Sequence, residues 1–231
     1  MKRLDDLMLG GLKIYQESDL FSFGTDAVLL ADFCRRKKYK KAVDLCTGNG
    51  VIPLLLSREN VSEIFGVEIS EISSSLAKES VEYNRLSDRI KIINADLREI
   101  IKSEDILPWG AFDLVSVNPP YFRDGSGKEA DGLKKIARSE KECTLEDVIL
   151  SSEKLLKSGG RFCIINRSER LSEIFYLMKK HRIEPKVLTP VETAKDRRPT
   201  LVLVEGKKDG KEGLLYEKPI NLFENFEYKN L

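Results

Sequence analysis

Ala42-Val43-Asp44-Leu45-Cys46-Thr47-Gly48-Asn49-Gly50 is a short apolar run, broken by one acid, that ends in a glycine turn. The run reads as a buried strand, and Val51 to Arg58 reads as a helix opening directly on the turn. Glycines there let the backbone adopt positive φ and approach a ligand, and a helix start offers unsatisfied N–H donors. A lone G-x-G is weak evidence, because a tight strand-to-helix connection explains it about as well as a binding site. What surrounds the turn decides between the two.

Working outward, β-rich runs alternate with helix-period runs. Ile64 to Ile69 reads as a second strand, Ile90 to Ile93 as a third and Phe112 to Val117 as a fourth. Between the second and third, Ser70 is suited to cap a helix with Glu71 in its first turn and Ile72, Leu76, Ser80 and Tyr83 at helical spacing. Thr144 is placed to cap another, with Leu145, Val148, Ile149 and Leu155-Leu156 inward, acids in the first turn and a stop at Gly159-Gly160. Phe162 to Ile165 is the fifth strand, Ser168 to His181 a helix, and Pro185 to Val191 with Thr200 to Glu205 an antiparallel pair. Alternation of this kind specifies an α/β fold with a doubly wound, mostly parallel sheet covered on both faces. The stretch Arg123 to Arg138, rich in glycine and charge, reads as a mobile loop.

The 231 residues, 41% hydrophobic, suffice for one core with appendages. We expect a single domain over 1–231, with 1–39 an N-terminal extension, 40–206 the α/β core and 207–231 a tail. Charge is high at 33% but balanced to +1, so nucleic-acid binding must rest on local patches. Cysteines 34, 46, 143 and 163 form no C-x-x-C, and His181 is the sole histidine. Neither a metal site nor a disulfide framework is expected, and a reducing cytoplasm fits. No signal peptide is visible, and apolar runs such as Val51 to Leu56 are too short for a bilayer.

Glu68 closes the second strand and Asp96 lies just past the third, where ligands sit in such sheets. The first could accept from a ribose diol and the second from an adenine amine. One acid at a strand end is ordinarily a solvated acid; three in register on consecutive strands fit that reading poorly. A nicotinamide site would want a third glycine where Pro53 stands. With Asp44 ahead of the turn, the pattern is similar to the cofactor loop of class I methyltransferases, although Cys46 stands where those loops commonly carry glycine.

The fourth strand runs straight into Asn118-Pro119-Pro120-Tyr121. Two prolines forbid further ladder pairing and hold Asn118 at the strand end. An adenine amine is a poor nucleophile because its lone pair is conjugated with the ring. If the Asn118 side-chain oxygen and the Pro119 carbonyl accept its two N–H groups, the nitrogen can pyramidalise toward a methyl sulfonium, with no strong base. Tyr121 would stack on a base splayed out of its helix or loop.

On these residues the chain resembles the bacterial tRNA (adenine-N6)-methyltransferases that modify valine tRNA next to its anticodon. Phe21 to Leu30, including Gly24, Thr25 and Asp26, is similar to the family segment that packs over the methionine end of the cofactor. Asp44 through Gly50, Arg89-Ile90 leading to Asp96-Leu97, the Asn-Pro-Pro-Tyr motif, Ala137 to Glu140 and Leu201 to Lys207 also match. The resemblance implies a Rossmann-like sheet of seven strands with the last antiparallel, S-adenosylmethionine converted to S-adenosylhomocysteine, and tRNA as partner. Carried over, the cofactor-binding set is Gly24, Thr25, Asp26, Asp44, Cys46, Thr47, Gly48, Gly50, Glu68, Ile69, Asp96, Leu97 and Asn118. Asn118, Pro119, Pro120 and Tyr121 form the catalytic set.

For RNA contact the candidates are Arg35 to Lys41, the loop cations Arg123, Lys128, Lys134, Lys135 and Arg138, then Lys179 to Arg182, and Arg197-Arg198. For Arg35 to Lys41, a solvated turn is an equal reading. The motif itself would serve a glutamine amide of a translation release factor equally well, but such enzymes usually carry a helical N-terminal domain. Guanine-amine rRNA enzymes resemble longer, duplicated chains, and a noncatalytic RNA-binding protein on the same scaffold would lack affinity for the cofactor.

Overall fold

The computed structural model describes residues 2–7, 9–17, 24–59, 61–119, 143–195 and 198–222. In chain order the strands and helices are β1 (Lys2–Asp6), β2 (Lys13–Glu17), α1 (Thr25–Cys34), β3 (Lys41–Leu45), α2 (Val51–Leu56), β4 (Glu63–Glu68), α3 (Glu71–Tyr83), β5 (Ile90–Asn94), α4 (Leu97–Lys102) and β6 (Phe112–Val117). They continue with α5 (Leu145–Leu155), β7 (Leu156–Arg167), α6 (Leu171–Lys180), β8 (Ile183–Glu192), β9 (Leu201–Lys208), β10 (Leu215–Tyr216) and β11 (Ile220–Asn221). A 3-10 turn at Ser168–Arg170 leads into α6.

Seven strands pair in the order β8-β9-β7-β6-β3-β4-β5. All run parallel except β9, which is antiparallel to β7 and β8. Two-residue β10 and β11 add to the outer edge of β8, so the described sheet counts nine strands where the sequence suggests seven. Strand order reverses at β3, which lies between β4 and β6. The crevice at the C-terminal ends of β3 and β6 is therefore the topological switch point, where ligands bind in open α/β sheets.

Each face of the sheet carries its own core. Ala42, Leu114, Cys163 and Ile165 pack with α1, α2 and the β1–β2 segment. Val43, Leu45, Val115, Val117, Phe162 and Ile164 pack with α4, α5 and α6. Because side chains alternate along a strand, Asp44 and Ser116 belong to the face of Ala42 and Leu114.

The caps are as read from sequence. Ser70 accepts from Ser73 N, and Thr144 with Asp147 forms a full capping box. The buried side of α3 differs from expectation. Ile72 and Tyr83 are 38% and 50% exposed, while Leu76, Ala77, Ser80 and Val81 are buried. The β1–β2 hairpin explains Ser80: its hydroxyl accepts from Tyr15 N, and Asn84 brackets the Lys13 backbone by accepting from N–H and donating to C=O. α5 also ends at Leu155, short of Gly159-Gly160. Those glycines lie within β7, where its register against β6 slips between Phe112 and Leu114. Gly159 takes φ 79° there, a conformation that favours glycine.

Candidate active site

The turn after β3 is held from below and from the side. Thr47 N donates to Val67 O at 3.0 Å, and Gly50 N to Thr47 O at 3.0 Å. Cys46, Gly48 and Gly50 all take positive φ, at 55°, 56° and 85°. Gly50 abuts α3, since a Cβ there would lie 3.0 Å from Ala77 Cβ. Gly48 faces open space, with nothing within 4 Å of where a Cβ would stand. One glycine thus serves packing, and the other leaves room for a ligand against the backbone.

Asp44 is fully buried one residue before the end of β3. Its Oδ1 accepts from Ser116 Oγ on β6 at 2.7 Å. Its Oδ2 and Thr47 Oγ1 are buried without a hydrogen bond of normal geometry. Burial pushes the Asp44 carboxyl up to about 7, opposed by the Thr47 and Ser116 hydroxyls and reinforced by Glu68. A buried carboxyl with an unused oxygen beside an open glycine turn suits a cationic or hydrogen-bond-donating ligand.

Glu68, half-buried at the end of β4, bridges two loops: Oε2 accepts from Gly48 N and Oε1 from Ser70 N, both at 2.8 Å. Burial raises its pKa, and the amides of Ser70, Gly48 and Ile69 oppose the rise. Asn94, at the end of β5, donates to the Glu68 and Ile69 carbonyls at 2.8 and 3.0 Å and fixes that turn. Ile69 itself is 47% exposed, an apolar surface at the mouth of the crevice.

The three acids form a stair rather than a row. Asp44 pairs in register with Gly66, whereas Glu68 pairs with Asn94 and Asp96 lies two residues beyond. Each step is two residues, about 6.6 Å along the strand. Asp96 is also occupied: it caps α4 through Arg98 N at 2.9 Å and its two oxygens meet the Arg98 guanidinium. That guanidinium holds the Asp96 carboxyl below its usual range. The Leu97 side chain is buried in the core with α5, so its backbone is what it can present to a ligand.

At the other wall, Asn118 is half-buried and Pro119 buried, two and three residues past Ser116. Hence the group that grips Asp44 and the Asn-Pro pair share one strand end. Pro120, Tyr121, Phe21 to Phe23 and the expected loop Arg123 to Arg138 lie outside the described residues. Gly24 caps α1 in an extended conformation, and Asp26 Oδ1 accepts from Ala27 N at 2.9 Å. α1 packs against α2, β6 and β7 on the Asp44 face. Cys46 meets Cys143, the residue preceding the cap of α5, and this contact together with burial raises its thiol pKa.

Sequence reading missed Ser116, Asn94 and the buried pair formed by Asn49 and Gln16, whose side chains meet at 3.5 Å. A serine inside an apolar strand was a visible sign for the first. Two of the basic groups lie at the far end of the sheet. Arg35 to Lys41 leads into the N-terminal end of β3, away from the crevice. Arg35, Arg36, Lys37 and Lys41 there pair with Glu59, Glu217, Glu205 and Glu63. Lys179 to Arg182 precedes β8 at the same far end and is engaged with Glu184, Glu146 and Asp209. Among the described residues no cluster of His, Cys, Asp or Glu could hold a metal, and no helix is long and apolar enough to cross a membrane.

A switch-point crevice with an open glycine turn, a buried acid and an Asn-Pro strand end defines an S-adenosylmethionine-dependent methyltransferase of class I. Residues 12–184 match the model of the methyltransferase small domain, and the chain belongs to that family. Its relatives include proteins named tRNA1(Val) (adenine(37)-N6)-methyltransferase. The one from Porphyromonas gingivalis is 30% identical over 187 residues, 79% of this chain and 72% of that one. The one from Parabacteroides distasonis is 26% identical over 192 residues, 83% and 79% of the two chains. A crystal structure of a predicted O-methyltransferase from Agrobacterium tumefaciens superposes with TM-score 0.68 at 21% identity, covering 87% of this chain and 90% of that one. At that identity the likeness concerns the fold.

Proposed function

We propose that the chain methylates the exocyclic amine of adenine in tRNA, at the adenosine next to the anticodon of valine tRNA, in the cytoplasm. The observation that carries this reading is the Asn118-Pro119 strand end, adjoining the crevice of Asp44, Gly48 and Glu68. The names of the relatives from P. gingivalis and P. distasonis support the choice of adenine and of this tRNA.

The cofactor supplies an electrophilic methyl group on sulfur. Gly48 leaves the backbone open to it, Asp44 lies buried behind that turn with one carboxyl oxygen unpartnered, and the Glu68–Ile69 turn presents an acid and an apolar surface for ribose and adenine. The Asn118 side-chain oxygen and the Pro119 carbonyl accept the two N–H groups of the target amine. Held so, the nitrogen pyramidalises and aims its lone pair at the methyl group. As the N–C bond would form, the S–C bond would break to leave the neutral sulfide; the positive charge on nitrogen would be met by acceptors already aligned and discharged by loss of one N–H proton to water, so little reorganisation is needed. Tyr121 supplies the stacking surface for the extruded base. The remaining acceleration is placement of two bound reactants in line.

Methyl-labelled cofactor offered to separate pools of tRNA, rRNA, DNA and protein tests the reading. Label should enter tRNA, in an adenine whose N6 carries it. Asn118→Ala should lower kcat by roughly 100-fold or more, a larger loss than any change in cofactor affinity. Label confined to the protein pool would instead favour an amide acceptor, and full activity in Asn118→Ala would remove the mechanism.

A further inference from the structure

We infer that Arg167, Lys195 and Arg198 form the landing strip for the RNA backbone beside the reacting adenine. This rests on the RNA reading above and names the surface that would serve it. The strand directions carry the inference. β7 and β8 end, and antiparallel β9 begins, at the same end of the sheet as Asn118. Arg167 closes β7, Lys195 follows β8, and Arg198 precedes β9.

Cross-links draw these three segments together. Leu201 is in register with Arg167 on one side and Val191 on the other. Ser168 N donates to Thr200 O at 3.0 Å, Ser168 Oγ donates to Pro199 O at 2.7 Å, and the Thr193 and Thr200 hydroxyls meet at 3.1 Å. Val117 is in register with Ile164, which puts Asn118 level with Ile165. From strand spacing and rise, Arg167 Cα then lies about 8 Å from Asn118 Cα, and β9 and β8 lie about 10 and 15 Å from β6. Arg167 follows Cys163 and Ile165 in alternation, on the face of the sheet that also carries Asp44.

All three side chains are exposed, and none makes an ion pair among the described residues. Among the described residues Glu169 and Glu192 are the unpaired acids of the same segments, Arg170 is taken up by Glu173, and in the sequence Asp196 and Arg197 cancel in charge, so the local balance stays positive. The contrast with the other end of the sheet is what selects this strip. Most cations of Arg35 to Lys41 and Lys179 to Arg182 are committed to acids there, and they face away from the crevice. Backbone phosphates flanking a splayed-out base must pass within a few strand widths of Asn118, and among the described residues these three cations are placed there without an acidic partner. Such contacts fix register and orientation without reading sequence.

The test compares wild type, the triple variant Arg167→Gln/Lys195→Gln/Arg198→Gln and a far-end control, Lys38→Gln/Lys40→Gln, using an unmodified valine tRNA transcript over a range of salt. Three lost phosphate contacts should make the slope of log affinity against log salt shallower by about 2, and weaken binding at least 10-fold near 0.1 M salt. S-adenosylmethionine affinity, measured by calorimetry, should be unchanged in all proteins and reports folding. Single Arg167→Gln should show about a third of the slope change. A triple variant with the wild-type slope and affinity overturns the strip, as does a far-end control that loses as much. Wild type that neither binds nor methylates the transcript removes the RNA reading itself, and the strip with it.

Discussion

Replacing Asp44 with asparagine should remove a large pH dependence from the stability of the fold. The carboxyl has an ordinary value of 3.8 and rises to about 7 when buried in the folded chain. Because the folded value is the higher, the folded chain holds the proton more tightly. The contribution is complete below pH 3.8 and is lost as pH rises to 7, above which it is level. At about 1.4 kcal/mol per tenfold change in proton affinity, the whole loss is about 4 kcal/mol, of which about 2–3 kcal/mol falls between pH 5 and 8. For a chain of this length that is a drop of roughly 5–10 °C in melting temperature. Glu68 is shifted in the same direction, and Asp96 in the opposite one, but both remain in the variant. The difference between wild type and Asp44→Asn therefore isolates Asp44. Urea unfolding at pH 5, 6, 7 and 8 measures it, and the variant should gain on wild type from pH 5 to 7 and little between 7 and 8. A difference constant to about 0.5 kcal/mol across that range would refute the assignment of a desolvated, partly protonated Asp44.

Two left-handed positions of the turn, Gly50 and Cys46, should separate by assay. Gly50→Ala forces a Cβ toward Ala77 at φ 85° and should cost about 2–3 kcal/mol of stability in a denaturant titration. Cys46 sits at φ 55°, where a β-branched side chain is badly placed. Cys46→Gly should stay within about 1 kcal/mol of wild type, because relief of strain offsets added chain entropy, whereas Cys46→Val should lose about 2 kcal/mol or more. Equal melting temperatures for the glycine and valine variants would count against a left-handed residue at 46.

What could be read from sequence was local. The Asp44 to Gly50 turn, the Ser70 and Thr144 caps and the strand ending at Val117 each announce themselves within a few residues, through alternation, capping side chains or proline. Ser116 and Asn94 did not, because their partners, Asp44 and the Glu68–Ile69 carbonyls, come from neighbouring strands and depend on pairing. The stair of acids has the same origin: spacing along the chain says nothing of register between strands. α4 escaped notice because six residues carry too little periodicity, and Asp96, its cap, was in view only as a candidate ligand group. The basic run from Arg35 was legible as charge but not as position, since only the direction of β3 shows that it faces away from the crevice.

β8 is the outermost long strand of the sheet, and its free edge would be a template for another copy of the chain. β10 and β11 occupy it at Val187-Leu188 and Val191-Glu192, and Glu217 N and Leu222 N donate to the Leu188 and Glu192 carbonyls at 2.9 Å. The residues from Leu215 to Leu222 thus cover part of that edge with backbone hydrogen bonds of their own. Deleting them should leave the crevice intact and turn a well-behaved enzyme into one that stacks edge to edge and precipitates as its concentration rises.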